Sequence, residues 1–369
     1  MFVLEALYVP KKGAGGTTLK RPSRGATVQP SPRFEPHHRT DEHDGWSETD
    51  PRPPATQVTD ERAKSIITRN DSPDIGFDRS INAYRGCEHG CVYCFARPSH
   101  AYLGLSPGLD FETKLFAKPD AAALLRRELT APTYRCRSIA IGTNTDPYQP
   151  IERKRLITRQ ILEVLQETRH PVGIVTKSDL VTRDLDILSE MAADNLAKVG
   201  LSVTTLNPHL ARTMEPRAPT PEKRLSAIER LATAGVPVSA LVAPIVPSIN
   251  DHEIESILGA VASRGATHVN FVLLRLPHEV KDVVRDWLAR YFPDRARRVM
   301  SIMQSMRGGK DYDATWGLRQ RGEGPFATMI AERFALASKR HNLTIGTVRL
   351  RTDLFRSPRG VSPQLELFG

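Results

Sequence analysis

From residue 79 onward the chain alternates short β-branched runs with longer stretches whose apolar positions recur every three or four residues. The short runs predict strands at "SINAYR" (80–85), "SIAIGT" (138–143), "VGIVTK" (172–177), "VGLSVTT" (199–205), "VPVSALVA" (236–243) and "HVNFVLLR" (268–275). Between them the spacing predicts helices over 120–129, 153–168, 183–194, 221–235 and 251–263, the fourth with Pro221 at its start and Gly235 as its stop. Repeated βα units of this kind make a parallel sheet and an α/β fold. An open doubly wound sheet and a partial barrel both satisfy the pattern.

The ends of the chain read differently. Residues 10 to about 60 are rich in Pro, Gly, Arg, His and Asp and nearly free of periodic apolar residues, so residues 1–60 are expected to form a disordered arm that buries too little to offset the entropy of ordering. A lead-in segment covers 61–78, the βα core 79–280, a helical cap 281–345 and a tail 346–369. The opening "MFVLEALYV" lacks a basic leader, and no later run approaches eighteen uncharged apolar residues. A cytoplasmic monomer with no membrane segment is expected.

Composition adds two constraints. Four cysteines in 369 residues point to metal binding rather than a disulfide scaffold. A net charge of +10 favours polyanions, although the basic residues are spread among 42 acids. The cap's arginines suit either phosphates or a solvated helix face.

Polar residues interrupt the apolar strands at their carboxyl ends, where parallel α/β folds collect their chemistry. The second strand runs into "GTNTDPYQPIE", the third into "TKS", the fourth into "SVTTLN" and the fifth into "APIVPSIND". Lys177 closing an apolar strand calls for an anion or water, and Ser202 inside one calls for a hydrogen-bond partner. The first strand leads into "RGCEHGCVYCFARP", whose Cys87, Cys91 and Cys94 supply three soft thiolates. Two centres fit that spacing. One is zinc completed by His89 or Cys136; the other is an iron-sulfur cluster that keeps one iron open, wrapped by a loop whose Gly86 and Gly90 give permissive backbone.

Cys87, Cys91 and Cys94 after a first strand, with Tyr93 before the last, resemble the cluster motif of the radical S-adenosylmethionine (SAM) superfamily. "NAYRGCEHGCVYC", "TDPYQPIE", "TKS", "LSVTTLN", "EPRAPTPEKRL" and "VAPIVP" resemble the branch containing spore photoproduct lyase and its uncharacterised bacterial relatives. The resemblance implies a partial (β/α)6 barrel and a [4Fe-4S] cluster on the three cysteines. SAM would chelate the fourth iron through its amino and carboxylate groups. A one-electron donor such as flavodoxin or ferredoxin would drive cleavage to methionine and a 5'-deoxyadenosyl radical that removes a substrate hydrogen.

Carried across by motif, the resemblance places Tyr93 along the adenine and Thr143, Asn144 and Asp146 at the methionine end. Lys177 would face the SAM carboxylate, Ser202 and Thr204 the ribose or carboxylate, and the Ala243 backbone the adenine. Arg217 would pair with the carboxylate or cap a helix, and Glu152 would be a buried support or a ligand. The chain departs from the lyase where that enzyme resets its substrate radical with a cysteine, since this sequence reads Ile141-Gly142-Thr143 there. Thymine-dimer repair therefore does not transfer. Cys136 and Tyr148 are the remaining candidates for hydrogen transfer, each with a packing role as the alternative. The charge and the lyase resemblance together lean towards a nucleic acid or nucleotide substrate.

Overall fold

The computed structural model describes residues 24–35 and 55–358; most of the expected arm and the last residues of the tail lie outside that set. The strands are β1 (Gln57–Asp60), β2 (Ile67–Arg69), β3 (Arg79–Ile81), β4 (Tyr84–Arg85), β5 (Lys114–Ala117), β6 (Ile139–Ile141), β7 (Val172–Thr176), β8 (Ala197–Ser202), β9 (Val238–Ile245), β10 (His268–Leu273) and β11 (Thr344–Ile345). Eight of them form one sheet in the order β11-β10-β9-β8-β7-β6-β3-β2. Every neighbouring pair is parallel except β2 with β3. From β3 onward each crossover carries the chain to the next strand in the same direction. With no reversal of order there is no switch point of the doubly wound kind. The fold is mixed α/β, built on a mostly parallel sheet.

Each of the six apolar runs contains a strand, but the first divides. "SINAYR" leaves the large sheet after Ile81 and joins a three-stranded sheet, β1-β5-β4, at Tyr84. Asn82 makes the break. Its side chain donates to Thr143 Oγ1 (3.3 Å) and accepts from the Asn144 amide (3.0 Å), while its carbonyl accepts from Lys118 Nζ (3.2 Å). The small sheet brackets the cysteine loop, with β4 entering it and β5 following it.

The helices follow the expected positions, and the second divides as well. Glu152–Arg155 and Ile157–Glu167 are separated by Leu156, which has left-handed backbone (φ 54°). The buried Glu152 carboxylate accepts the Thr158 amide (3.1 Å), so an acidic group from the first piece caps the second. Thr220 caps Pro221–Thr233, and Gly235 ends that turn at φ 77°. The expected cap contains helices Val280–Tyr291, Pro293–Ser305 and Gly324–Arg340, the first two parted at Pro293. No helix among the described residues is long and apolar enough to cross a membrane.

Two described parts of the expected arm depart from disorder, β1 paired with β5 and residues 24–35. Ala26 is buried, and the amides of Gly25 and Ala26 donate to the fully buried Glu112 carboxylate, each at 2.8 Å. The buried acid anchors the start of that second stretch, which hydrophobic periodicity cannot register.

Candidate active site

Cys87 and Cys91 are 6% and 7% exposed, and Cys94 is half-buried with its backbone turned onto Cys91 (Cys94 N to Cys91 O, 3.2 Å). The loop is held from three sides. Cys87 N donates to Phe111 O (2.9 Å), Val92 N to Met214 O (3.0 Å), and the buried Arg97 guanidinium reaches Cys91 O (2.9 Å) while pairing with Glu112 (2.5 Å). Gly86 and Gly90 have φ of 75° and 67°, and a Cβ on Gly86 would come within 2.8 Å of the Phe111 carbonyl oxygen. Burial pushes the Cys91 thiol up to about 12, with Lys177 drawing it back, and burial holds Cys87 well above its ordinary value. A metal centre taken up by these thiols would have to displace their protons.

The carboxyl ends of β7, β8 and β9 meet this loop. Lys177, half-buried after β7, places its ammonium 5.8 Å from the Tyr93 ring centroid, and that ammonium makes no hydrogen bond or ion pair among the described residues. Burial depresses the Lys177 pKa, but the neighbouring Cys91, Glu215 and Asp146 outweigh that and raise it. Tyr93 Oη donates to Glu215, and Thr204 Oγ1 donates to the same carboxylate at 2.8 Å. Glu215 pairs with the buried Arg224, which also donates to Ser202 O (3.1 Å) and Pro219 O (2.9 Å). Ala243 O lies 3.3 Å from Thr204 Oγ1. Tyr93, Lys177, Ser202, Thr204 and Ala243 thus share one region. Glu215 and Arg224 were not singled out from the sequence, although "EPR" and "PEKR" contain them, because nothing local distinguishes a buried charge pair from a solvated one.

Several expected site residues have structural partners instead. Asp146 accepts from Thr176 Oγ1 (2.6 Å), Lys177 N (2.8 Å) and Tyr148 N (2.9 Å), fastening the β6 loop to the end of β7. Burial would raise its pKa, but adjacent His89 and these donors hold it well below the carboxylate range. Thr143 and Asn144 are half-buried and fixed by Asn82. Arg217 pairs with Glu88 (3.1 Å), the residue after Cys87. Glu152 is a support, holding Tyr84, Thr158 and Arg183 (3.0 Å).

Tyr148 is 1% exposed, with its hydroxyl donating to Asp184 (3.0 Å). Cys136 precedes β6, at the opposite end of the strand from the cysteine loop, and burial lifts its thiol to about 11. His89 Nδ1 approaches Asp146 Oδ2 at 3.3 Å without a hydrogen-bonding alignment, and Cys136 is at the far end of the sheet.

Comparison with known proteins agrees with this geometry. The family model described as the Radical SAM superfamily matches residues 81–261. An uncharacterised protein of Mycobacterium tuberculosis is 39% identical over 228 residues, covering 61% of this chain and 67% of that protein. One from Methanocaldococcus jannaschii is 30% identical over 198 residues, covering 54% and 70%. Among solved structures, a variant of spore photoproduct lyase superposes with a TM-score of 0.56 at 16% identity, covering 78% of this chain and 81% of that one. A variant with bound AdoMet and dinucleoside spore photoproduct gives 0.53 at 15% identity, covering 79% and 82%. With the three-cysteine loop, the unreversed parallel sheet and these matches in agreement, the chain belongs to the radical SAM superfamily.

Proposed function

We propose that Cys87, Cys91 and Cys94 hold a [4Fe-4S] cluster at the mouth of a partial barrel formed by the six parallel core strands, and that SAM lies between that loop and the ends of β7 to β9. The observation that carries this reading is Lys177, whose ammonium stands over the Tyr93 ring beside the thiols and, among the described residues, makes no direct hydrogen bond or ion pair. Nearby Glu215 and Asp146 keep it charged, and its N–H donors are open to a ligand carboxylate. When bound, the cluster supplies the electron that splits SAM into methionine and a 5'-deoxyadenosyl radical. Tyr93, fixed by Glu215, offers a flat face for the adenine, and Ser202 and the Ala243 backbone offer polar groups for the nucleoside. Cys136 and Tyr148 are left with structural roles, so the substrate radical is quenched without either.

The substrate we favour is a nucleic acid or nucleotide. Arg297 and Arg298 are exposed on helix Pro293–Ser305, and Arg295 on the same helix donates to Ser248 O (3.2 Å) in the loop after β9, beside the mouth. Phe95, 48% exposed directly after Cys94, carries the Arg275 guanidinium 5.0 Å from its ring centroid. Stacking faces interleaved with guanidinium groups suit bases and phosphates.

Anaerobic reconstitution tests both levels of the proposal. Wild-type protein and Cys136→Ala are expected to take up about four iron and four sulfide per chain and, once reduced, to release 5'-deoxyadenosine. Cys94→Ala is expected to lose the chromophore and the cleavage together. Stoichiometric zinc without sulfide overturns the cluster. DNA and RNA that leave the rate of 5'-deoxyadenosine release unchanged overturn the substrate class alone.

A further inference from the structure

We infer that the cavity behind the cysteine loop is the docking point for an acidic one-electron donor protein, an inference that rests on the cluster reading above. The cavity, about 230 Å³, lies between that loop, the segment after β6, the start of the turn after β7 and residues 217–223. It shares no lining residue with the Tyr93, Lys177 and Thr204 group. His89 forms its inner wall. That side chain is 2% exposed, its Nδ1 stands 3.3 Å from Asp146 Oδ2 and makes no aligned hydrogen bond among the described residues, and it is two residues from both Cys87 and Cys91. His89 thereby joins the cavity to Cys87 and Cys91 through two residues of backbone on either side.

The rim is cationic, and the charge comes from separate elements. Arg153 on Glu152–Arg155 and Lys223 in the first turn of Pro221–Thr233 line it, are exposed and have no ion pair among the described residues. Lys223 sits at the positive end of its helix, where a cation is locally unfavourable. Arg217 adds a third cation, shared with Glu88, and Asp179 also lines the cavity. A solvated helix face would present such charges along one helix and paired at i,i+4. Here they converge from three segments on one opening. Carboxylates on a donor's surface complement that rim, steer the encounter and fix its orientation. The residues lining it are distinct from the Tyr93, Lys177 and Thr204 group, so a donor seated there need not displace what that group binds. The step moves one electron only: the donor's reduced flavin or iron-sulfur centre is oxidised, the cluster is reduced, and no bond or proton changes place.

The test compares reconstituted wild-type protein with an Arg153→Glu, Lys223→Glu double variant by anaerobic stopped-flow bleaching of the cluster. Reduced flavodoxin serves as the acidic donor and photoreduced deazaflavin as an uncharged small reductant. At low ionic strength the variant is expected to be reduced by flavodoxin about tenfold more slowly than wild type, a gap that closes as salt rises. Its iron and sulfide content and its reduction by deazaflavin are expected to match wild type. Equal flavodoxin rates overturn the docking site. Slowing by both reductants alike also overturns it, because the effect would then lie at the cluster. Protein that takes up no iron and sulfide overturns the cluster reading itself, a result visible before any donor is added.

Discussion

At the scale of single residues, Glu215 organises more of the site than any residue the motifs single out. Its carboxylate holds the Tyr93 hydroxyl, Thr204 and the Arg224 guanidinium, which in turn grips the backbone at Ser202. Burial would raise its pKa, but Arg224 and Lys177 bring it down to about 2, so it stays charged. Glu215→Gln keeps the shape and strands a buried guanidinium, an uncompensated charge of the kind that costs about 3 to 5 kcal/mol. Urea denaturation is expected to show a loss of that order. Glu215→Gln combined with Arg224→Met removes both charges and is expected to recover part of it. A single variant as stable as wild type would mean the pair contributes nothing. The cysteines and Lys177 were legible in the sequence because their residue types are costly or distinctive where they stand. Glu215 and Arg224 were not, since each becomes unusual only once the fold buries the other beside it.

At the scale of elements, apolar periodicity located all six core strands and placed their boundaries within a few residues. It missed β1, β2, β5 and β11, which are short, and it ran β3 and β4 together because the polar Asn82 between them has no local signature of a change of sheet. The stretch 24–35 shows the same blindness more sharply. Its anchor is a polar relay in which the Gly25 and Ala26 amides bind Glu112, Glu112 binds Arg97, and Arg97 binds the Cys91 carbonyl. Ser106 Oγ donates to Pro30 O (2.6 Å), and Arg33 pairs with Glu279 (3.3 Å), so the stretch spans from the cysteine loop to the cap. A Cβ on Gly25 would stand 1.7 Å from the Gly90 carbonyl oxygen, backbone against backbone. Gly25→Val is therefore expected to expel the stretch, and trypsin should cut after Arg24, 8% exposed in the native fold, at least about tenfold faster than in wild type. Mass spectrometry of the first fragments reads this, and an unchanged cleavage rate would show that the relay does not anchor the segment.

On the scale of the whole molecule, the two ends of the sheet do different work. The carboxyl ends carry the thiols and Lys177, while the amino ends are crossed by residues 346–357. Gly346 O accepts from Asn270 (2.8 Å), Val348 O from Lys198 (2.5 Å) and Arg349 O from Asn195 (3.1 Å), and Arg356 N donates to Thr168 O (2.8 Å). The sequence reads there as a plain tail, because a strap held by backbone groups has no apolar period. Phe355 ends it by packing on His170 and Tyr134, with ring centroids 5.3 and 5.5 Å away. His170 is fully buried, with Nδ1 3.1 Å from Pro171 O and Nε2 2.7 Å from the Tyr134 hydroxyl. That pairing satisfies a neutral ring that donates from Nδ1 and accepts at Nε2. Burial, assisted by the nearby Arg79 charge, lowers its pKa from 6.5 to about 4. The unfolded chain therefore takes up a proton below pH 6.5 that the native ring refuses, so the stabilisation is complete above 6.5 and is lost as pH falls towards 4. A shift of that size corresponds to about 3 kcal/mol. His170→Gln removes the titration, and the urea midpoint of the variant is expected to vary less between pH 6.5 and 4 than that of wild type. Parallel pH profiles for the two proteins would mean that His170 takes up its proton as readily in the native fold as in the unfolded chain, and that the strap does not seal the amino end of the sheet.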